Sequence, residues 1–117
     1  MSLPQLLTLT SMEIIGDFGF KQFANKGGIL SFAIGTIGYI GVVCSLIVSL
    51  QNSTVLMVNA AWDGISGIIE SVAAYFILGE RLESKWQYLG ILFVSLGLYL
   101  LKIPMKKEKP FVLPKFF

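Results

Sequence analysis

From Ile29 to Leu50 the chain runs for 22 residues without a charged side chain and without proline. An uninterrupted apolar run of that length matches the roughly 20 residues a helix needs to cross a bilayer. Proline is in fact absent from the whole stretch between Pro4 and Pro104, so no residue there stops a helix by removing a backbone donor. Composition points the same way. The chain is 55% apolar and only 14% charged, against the roughly 25% charged residues usual in soluble domains, and its mean hydropathy is +0.76. These values exclude an ordinary soluble enzyme and a disordered tail. In 117 residues they leave an all-α, multi-pass integral membrane protein with one domain.

Small polar clusters mark where helices end. Asn25-Lys26-Gly27-Gly28, Gln51-Asn52-Ser53-Thr54 and the charged Glu80-Arg81-Leu82-Glu83-Ser84-Lys85 divide the chain into four segments. The spacing predicts transmembrane helices over 3–24, 29–50, 55–79 and 86–103, a domain of 1–103, and a basic, aromatic tail of 104–117. Trp86 and Tyr88 stand at the start of the fourth helix, where interface anchors belong. The N-terminal segment has no base before Lys21, and Glu13 interrupts its apolar core. It therefore reads as a retained span and not as a cleaved signal. There is no histidine and a single cysteine, Cys44, so a disulfide framework and metal centres built on His or Cys are excluded. No cofactor and no nucleic-acid partner are implied, and no nucleophile–base pair suggests an enzyme.

With four spans the N-terminus, the second turn and the tail share one side. Lys102, Lys106, Lys107, Lys109 and Lys115 lie on that side, against Lys26, Arg81, Lys85 and a snorkelling Lys21 on the other. The positive-inside rule then slightly prefers both termini in the cytoplasm, a bias small enough to allow insertion in both orientations. The tail alternates bases with Phe111, Phe116 and Phe117. It reads as a segment on an anionic headgroup surface, as a docking peptide for another protein, or as a frayed solubilising end.

Four acids, Glu13, Asp17, Asp63 and Glu70, fall inside the predicted spans, with Lys21 the nearby base. A carboxylate at mid-bilayer costs about 2.5–3.5 kcal/mol on insertion scales, a heavy load for a purely structural chain. Glu13 lies about 15 Å along its helix, at a rise of 1.5 Å per residue. Asp17 follows one turn later and Lys21 one turn after that. Asp63 and Glu70 are two turns apart and share a face. Such groups mark proton relays and cation sites. Each has a plainer reading too: Lys21 could neutralise Asp17, and Glu70 could hydrogen-bond a neighbouring helix. Gly35, Gly38 and Gly41 in the second helix, and Gly90 and Gly97 in the fourth, form small-residue stripes that let helices approach closely in a membrane. Four helices make a thin shelter for several acids, which argues for a dimer.

The order Met12-Glu13-Ile14-Ile15-Gly16, Lys21, Gly35-Thr36, Tyr39, Ala60-Ala61-Trp62-Asp63-Gly64, Gly79-Glu80-Arg81-Leu82, Gly90 and Gly97 resembles the small multidrug resistance transporters of the drug/metabolite transporter superfamily. The resemblance spans residues 3–103 with almost no gaps. The last helix and the turn before it also resemble the final repeat of the larger ten-helix transporters. The resemblance implies an antiparallel homodimer of four-helix subunits. It implies that Glu13 binds protons or a substrate cation in turn, that Tyr39 and Trp62 line the pocket, that Gly64 and Gly67 mark a kink in the third helix, and that Gly90 and Gly97 lie on the dimer seam.

Three positions depart from the family pattern. Asp63 follows the tryptophan where a hydroxyl residue or glycine is common, Asn59 replaces a pocket tyrosine, and Asp17 replaces a threonine. Together they make the site more polar and more acidic. Aromatic walls suit large aromatic cations, whereas several carboxylates suit a polyvalent amine. The sequence therefore leads to proton-coupled export of small organic cations such as polyamines, with Glu13, Asp17, Asp63, Trp62, Tyr39 and Asn59 as the site. The alternatives are a structural or assembly protein of a membrane that has kept the fold and lost transport, and one subunit of a heteromeric transporter, hence a heterodimer.

Overall fold

A computed structural model describes residues 1–106 and 110–116, so Lys107, Glu108, Lys109 and Phe117 of the tail lie outside the described residues. Four helices and no strand occur among them: α1 (Leu3–Lys26), α2 (Ile29–Leu50), α3 (Val55–Ile77) and α4 (Lys85–Leu101). The local chemistry of the turns fixes their ends. Ser2 caps α1 through its side chain, and Gly27 closes it at φ 71 with its N–H on the Phe23 carbonyl. Gly27 and Gly28 both have positive φ, conformations open to glycine at no steric cost, so two residues suffice to reverse the chain. Thr54 caps α3 by accepting from the Met57 N–H at 3.1 Å. Ser84 and Gln87 form a capping box at the start of α4. Two helices are shorter than the sequence spacing predicts. α3 stops at Ile77 ahead of Gly79 at φ 70, and α4 stops at Leu101 because Lys102 turns left-handed at φ 51.

The helices form a single layer in the order α2, α1, α3, α4. α1 packs on α2 and on α3, α4 packs on α3 alone, and α2 meets α3 lightly. The principal extents of 42 × 37 × 18 Å fit that arrangement. Helices spaced 8–10 Å apart, four abreast, measure about 35–40 Å across and one helix thick.

Glycine makes the tightest contact in the layer. A Cβ on Gly38 of α2 would strike the backbone of Gly16 in α1, and one on Gly19 of α1 would come within 2.6 Å of the Gly35 nitrogen. The α1–α2 contact is thus backbone against backbone, the packing that small residues allow where apolar burial gives no drive between helices. The stripe of the second helix is therefore used within the chain. In contrast, a Cβ on Gly90, Gly97 or Gly67 would meet nothing within 4 Å. α4 buries no residue at all.

Buried side chains gather at one end. Leu6 and Leu9 of α1, Val42 of α2, and Val58, Ala61 and Ile65 of α3 form the core together with Met1. Hydrogen bonds tie this end together. The N-terminal amine of Met1 donates to Ser53 Oγ at 2.6 Å, and the Leu3 N–H donates to the Pro104 carbonyl at 2.7 Å. The N-terminus, the second turn and the tail therefore meet at the same end, as four antiparallel helices require.

α2 and α3 are long and apolar enough to cross a membrane, while α4, at 17 residues, is a shorter apolar helix. α1, 24 residues long and carrying Glu13 and Asp17, does not meet that standard, so two of the four expected spans qualify by length and composition. Large apolar side chains such as Ile29, Leu30, Ile37, Ile40 and Val43 point outward from α2, the reverse of a soluble helix.

The glycine contact yields a stability prediction for the detergent-solubilised monomer. Gly38→Ala must separate α1 from α2 and should lower stability by about 1–3 kcal/mol. Gly90→Ala, with open space around it, should stay within about 0.5 kcal/mol. Thermal unfolding followed by circular dichroism reads the difference.

Candidate functional site

Away from the core end, α1 and α3 border a cleft of about 630 Å³ that also reaches the α3–α4 turn and the start of α4. Asp17 and Lys21 of α1, Glu70 and Tyr75 of α3, Glu80 and Arg81 of the turn, and Tyr88 of α4 are among its lining residues. Apolar walls come from Phe18, Val72, Phe76, Leu82 and Ile91.

Two half-buried carboxylates, Asp17 and Glu70, line this cleft, and a third, Glu13, lies beside them behind its wall. Glu13, Asp17 and Glu70 each offer an oxygen, and these atoms all lie within 4.8 Å of one another. Helical spacing explains the convergence. Glu13 and Asp17 are one turn apart on α1, while Trp62, Ser66 and Glu70 follow at successive four-residue steps on α3, so two stripes face each other. Trp62, Ser66 and Glu70 all come within interaction reach of the Glu13 carboxylate. The indole N–H of Trp62 is buried and makes no well-formed hydrogen bond, which leaves a donor beside the acids. From α2, the Tyr39 hydroxyl donates to Asp17. The Tyr39 ring stacks on Phe20, with centroids 5.5 Å apart at 25°.

Three like charges at this spacing repel one another, at about 4 kcal/mol per pair at 4 Å for an effective dielectric constant near 20. The group is satisfied by protons, by an amine, or by a divalent cation with oxygen ligands. Any of these can occupy it only at the expense of the others.

The site differs from the sequence reading in three particulars. Glu13, Asp17, Tyr39 and Trp62 do come together. Asp63 does not join them: it is exposed and lines a separate hollow with Ala60, Gly64, Val94, Gly97, Leu98 and Leu101. It sits one residue past Trp62, about 100° further round α3. Asn59 is exposed and lines neither cavity. Lys21 forms its ion pair with Glu80 of the α3–α4 turn and not with Asp17. Gly64 packs against Leu98 of α4, and α3 continues as one helix through Gly64 and Gly67.

Two features of the cleft stand outside the site residues that the sequence suggests. Glu70, one of the four acids within the predicted spans, supplies the third carboxylate. Arg81 lies 3.6 Å from the centroid of the Tyr75 ring, and its Nη1 donates to the carbonyls of Tyr75 and Glu80, each at 2.8 Å. The cleft mouth thus holds the Lys21–Glu80 pair beside an arginine stacked on an aromatic face.

Comparison of the chain with protein-family models, with curated proteins and with solved structures finds no match.

The Tyr39–Asp17 bond predicts energetic coupling. Tyr39→Phe should cost about 1–3 kcal/mol, the range for a hydrogen bond to a charged group. In a double-mutant cycle with Asp17→Asn the two effects should fall short of adding. The same cycle with Asp63→Asn should be additive, because Asp63 belongs to another cavity. Thermal unfolding of the four variants in detergent measures both cycles.

Proposed function

We propose that the chain is a four-span subunit of a proton-coupled exporter of small organic cations, built like the small multidrug resistance transporters. The cluster of Glu13, Asp17 and Glu70, two of which line the cleft between α1 and α3, carries this reading. Ionisable groups inside a membrane protein face a protein interior or a water-filled cavity and mark ion pathways. A cleft lined by carboxylates and walled by aromatic and aliphatic side chains suits an amine that carries apolar carbon.

In this mechanism Glu13 is the shared proton and substrate group. Asp17 and Glu70 add the charge that holds a second amine, with Glu70 in the part that the family resemblance suggests for Asp63. An amine entering the cleft displaces protons from the carboxylates, and its release on the other side allows protons to return. Tyr39 positions Asp17, and Trp62 offers its indole N–H beside Glu13. The Lys21–Glu80 pair closes the mouth when no substrate lies in it.

The single layer supports a dimer. An arrangement 18 Å thick leaves both faces uncovered, and domains bury their elements in two or more layers. A second copy laid against the first gives the acids a shelter. Gly90 and Gly97, open in one subunit, permit close approach of α4 helices at the seam. Two subunits rocking against each other then provide alternating access, as in transporters made of inverted repeats.

The deciding measurement is proton release from purified, weakly buffered protein on addition of spermidine, guanidinium or a quaternary ammonium dye. Saturable release, abolished by Glu13→Gln, is expected, with spermidine the strongest ligand. Glu70→Gln should weaken spermidine binding about tenfold, or roughly 1.4 kcal/mol, and weaken a monovalent amine less. Asp63→Asn should change either by less than about twofold. Folded protein that releases no proton with any of the three overturns transport and favours a structural role in the membrane.

A further inference from the structure

The tail is held by hydrogen bonds at a definite height. The side chain of Gln51 clamps Val112 from both sides: its Nε2 donates to the Val112 carbonyl at 2.5 Å, and its Oε1 accepts from the Val112 N–H at 2.7 Å. Gln51 is the first residue after α2, and only Gln51–Thr54 separates α2 from α3. Those are the two helices long and apolar enough to cross a membrane. A turn of four residues between two spans stands at the headgroup level, and the clamp puts Val112 at the same level.

What the tail presents there has two chemistries. Met105, Val112, Leu113 and Phe116 are exposed, with Phe116 at 87% and Leu113 at 71%. Between and around them the sequence places Lys102, Lys106, Lys107, Lys109 and Lys115 against one acid, Glu108. Among the described residues no ion pair engages Lys102, Lys106 or Lys115. The opposite end differs: Glu80 and Glu83 alternate with Arg81 and Lys85, and Lys21 is paired with Glu80. The excess of positive charge therefore gathers at the tail end, where apolar side chains also lie bare.

We propose that the described tail residues 105–106 and 110–116 form an interfacial strap that lies on an anionic lipid leaflet, its apolar side chains entering the headgroup–acyl boundary and Lys106 and Lys115 on the lipid phosphates. Bases attract anionic lipid within a Debye length of the surface, and apolar side chains at that depth enter the boundary region. Neither half suffices alone. The clamp joins them by holding Val112 at the level of the α2–α3 turn before lipid is met, which lowers the ordering cost of binding. The strap rests on α2 and α3 crossing the bilayer and is independent of what the cleft carries.

A nitroxide on Leu113→Cys, in a Cys44→Ser background of the full chain, tests the strap. The labelled protein is reconstituted in vesicles of phosphatidylcholine alone or with about 30% phosphatidylglycerol, a density that gives a negative surface potential. Relaxation by oxygen and by a water-soluble nickel complex reports the depth of the label. In the anionic vesicles the label should lie at the headgroup–acyl boundary. In phosphatidylcholine alone its exposure to nickel should rise at least about threefold. Lys→Gln at Lys106 and Lys115 together should produce a rise in the same direction in anionic vesicles. Gln51→Ala should increase label mobility in both. A label equally accessible to nickel in both vesicles overturns the strap, as does one equally immersed whatever the headgroup or the lysines, a result that leaves the bases for an acidic protein surface. Flotation after an alkaline wash separates the two premises. A chain that floats with its label in water loses the strap alone, and one that fails to float loses the membrane reading and the strap together.

Discussion

The contact between Gly16 and Gly38 governs the rest of the molecule. Because neither residue carries a side chain, α1 approaches α2 until backbone meets backbone. That closeness brings Tyr39, one residue beyond Gly38, against the α1 face that bears Asp17. One turn earlier on the same stripe of α1, Glu13 meets Trp62, Ser66 and Glu70 of α3. A larger residue at either glycine would displace the acidic helix from both neighbours at once. The polar site is thus positioned by the least polar contact in the chain.

The two ends of the layer have different physical characters. Near the termini, Leu6, Leu9, Val58 and Ala61 fill the space between helices, and backbone bonds from Leu3 and Val112 secure the end segments. Toward the α3–α4 turn the same helices carry Asp17, Lys21, Glu70 and Tyr75 and leave a cleft between them. Local stability follows buried apolar contact, so the core end is the stable frame and the cleft end is the part free to change shape. The Lys21–Glu80 pair there is about half exposed on both sides. An exposed pair of that kind contributes only about 0–1 kcal/mol, which makes it easy to open.

Much of the fold was legible in the sequence because helix ends are set by local chemistry. Gly27-Gly28, Thr54 and Ser84 with Gln87 each specify a boundary within a few residues, and the structure uses all of them. The two overlong helices have local causes as well, in the positive φ of Gly79 and Lys102. The site was legible only in part. Glu13 and Asp17 stand out because they are the two acids of α1 and lie one turn apart. Asp63 was misplaced and Glu70 undervalued because spacing within α3 does not say which flank meets α1 and which meets α4. That depends on packing across elements distant in sequence. Lys21 was matched to the nearest acid along its own helix, whereas Glu80 reaches it through a turn 59 residues away.

The flatness of the layer bears on what the acids are for. A soluble protein of this length folds to a radius of gyration of about 13 Å, and this chain has 15.8 Å. The excess comes from helices lying side by side with both faces bare. In water, the outward Ile37, Ile40 and Val43 of α2 and Leu92, Phe93 and Leu96 of α4 would be an aggregation hazard, whereas lipid tails cover them without penalty. Lipid cannot do the same for Glu13, Asp17 and Glu70, which need water, a counter-charge or another protein surface. A single layer offers them one open cleft and one stacked arginine. Apolar sides matched to acyl chains and an acidic centre that lipid cannot solvate are together consistent with a subunit that carries half of a site, and with a second subunit supplying the wall that is missing.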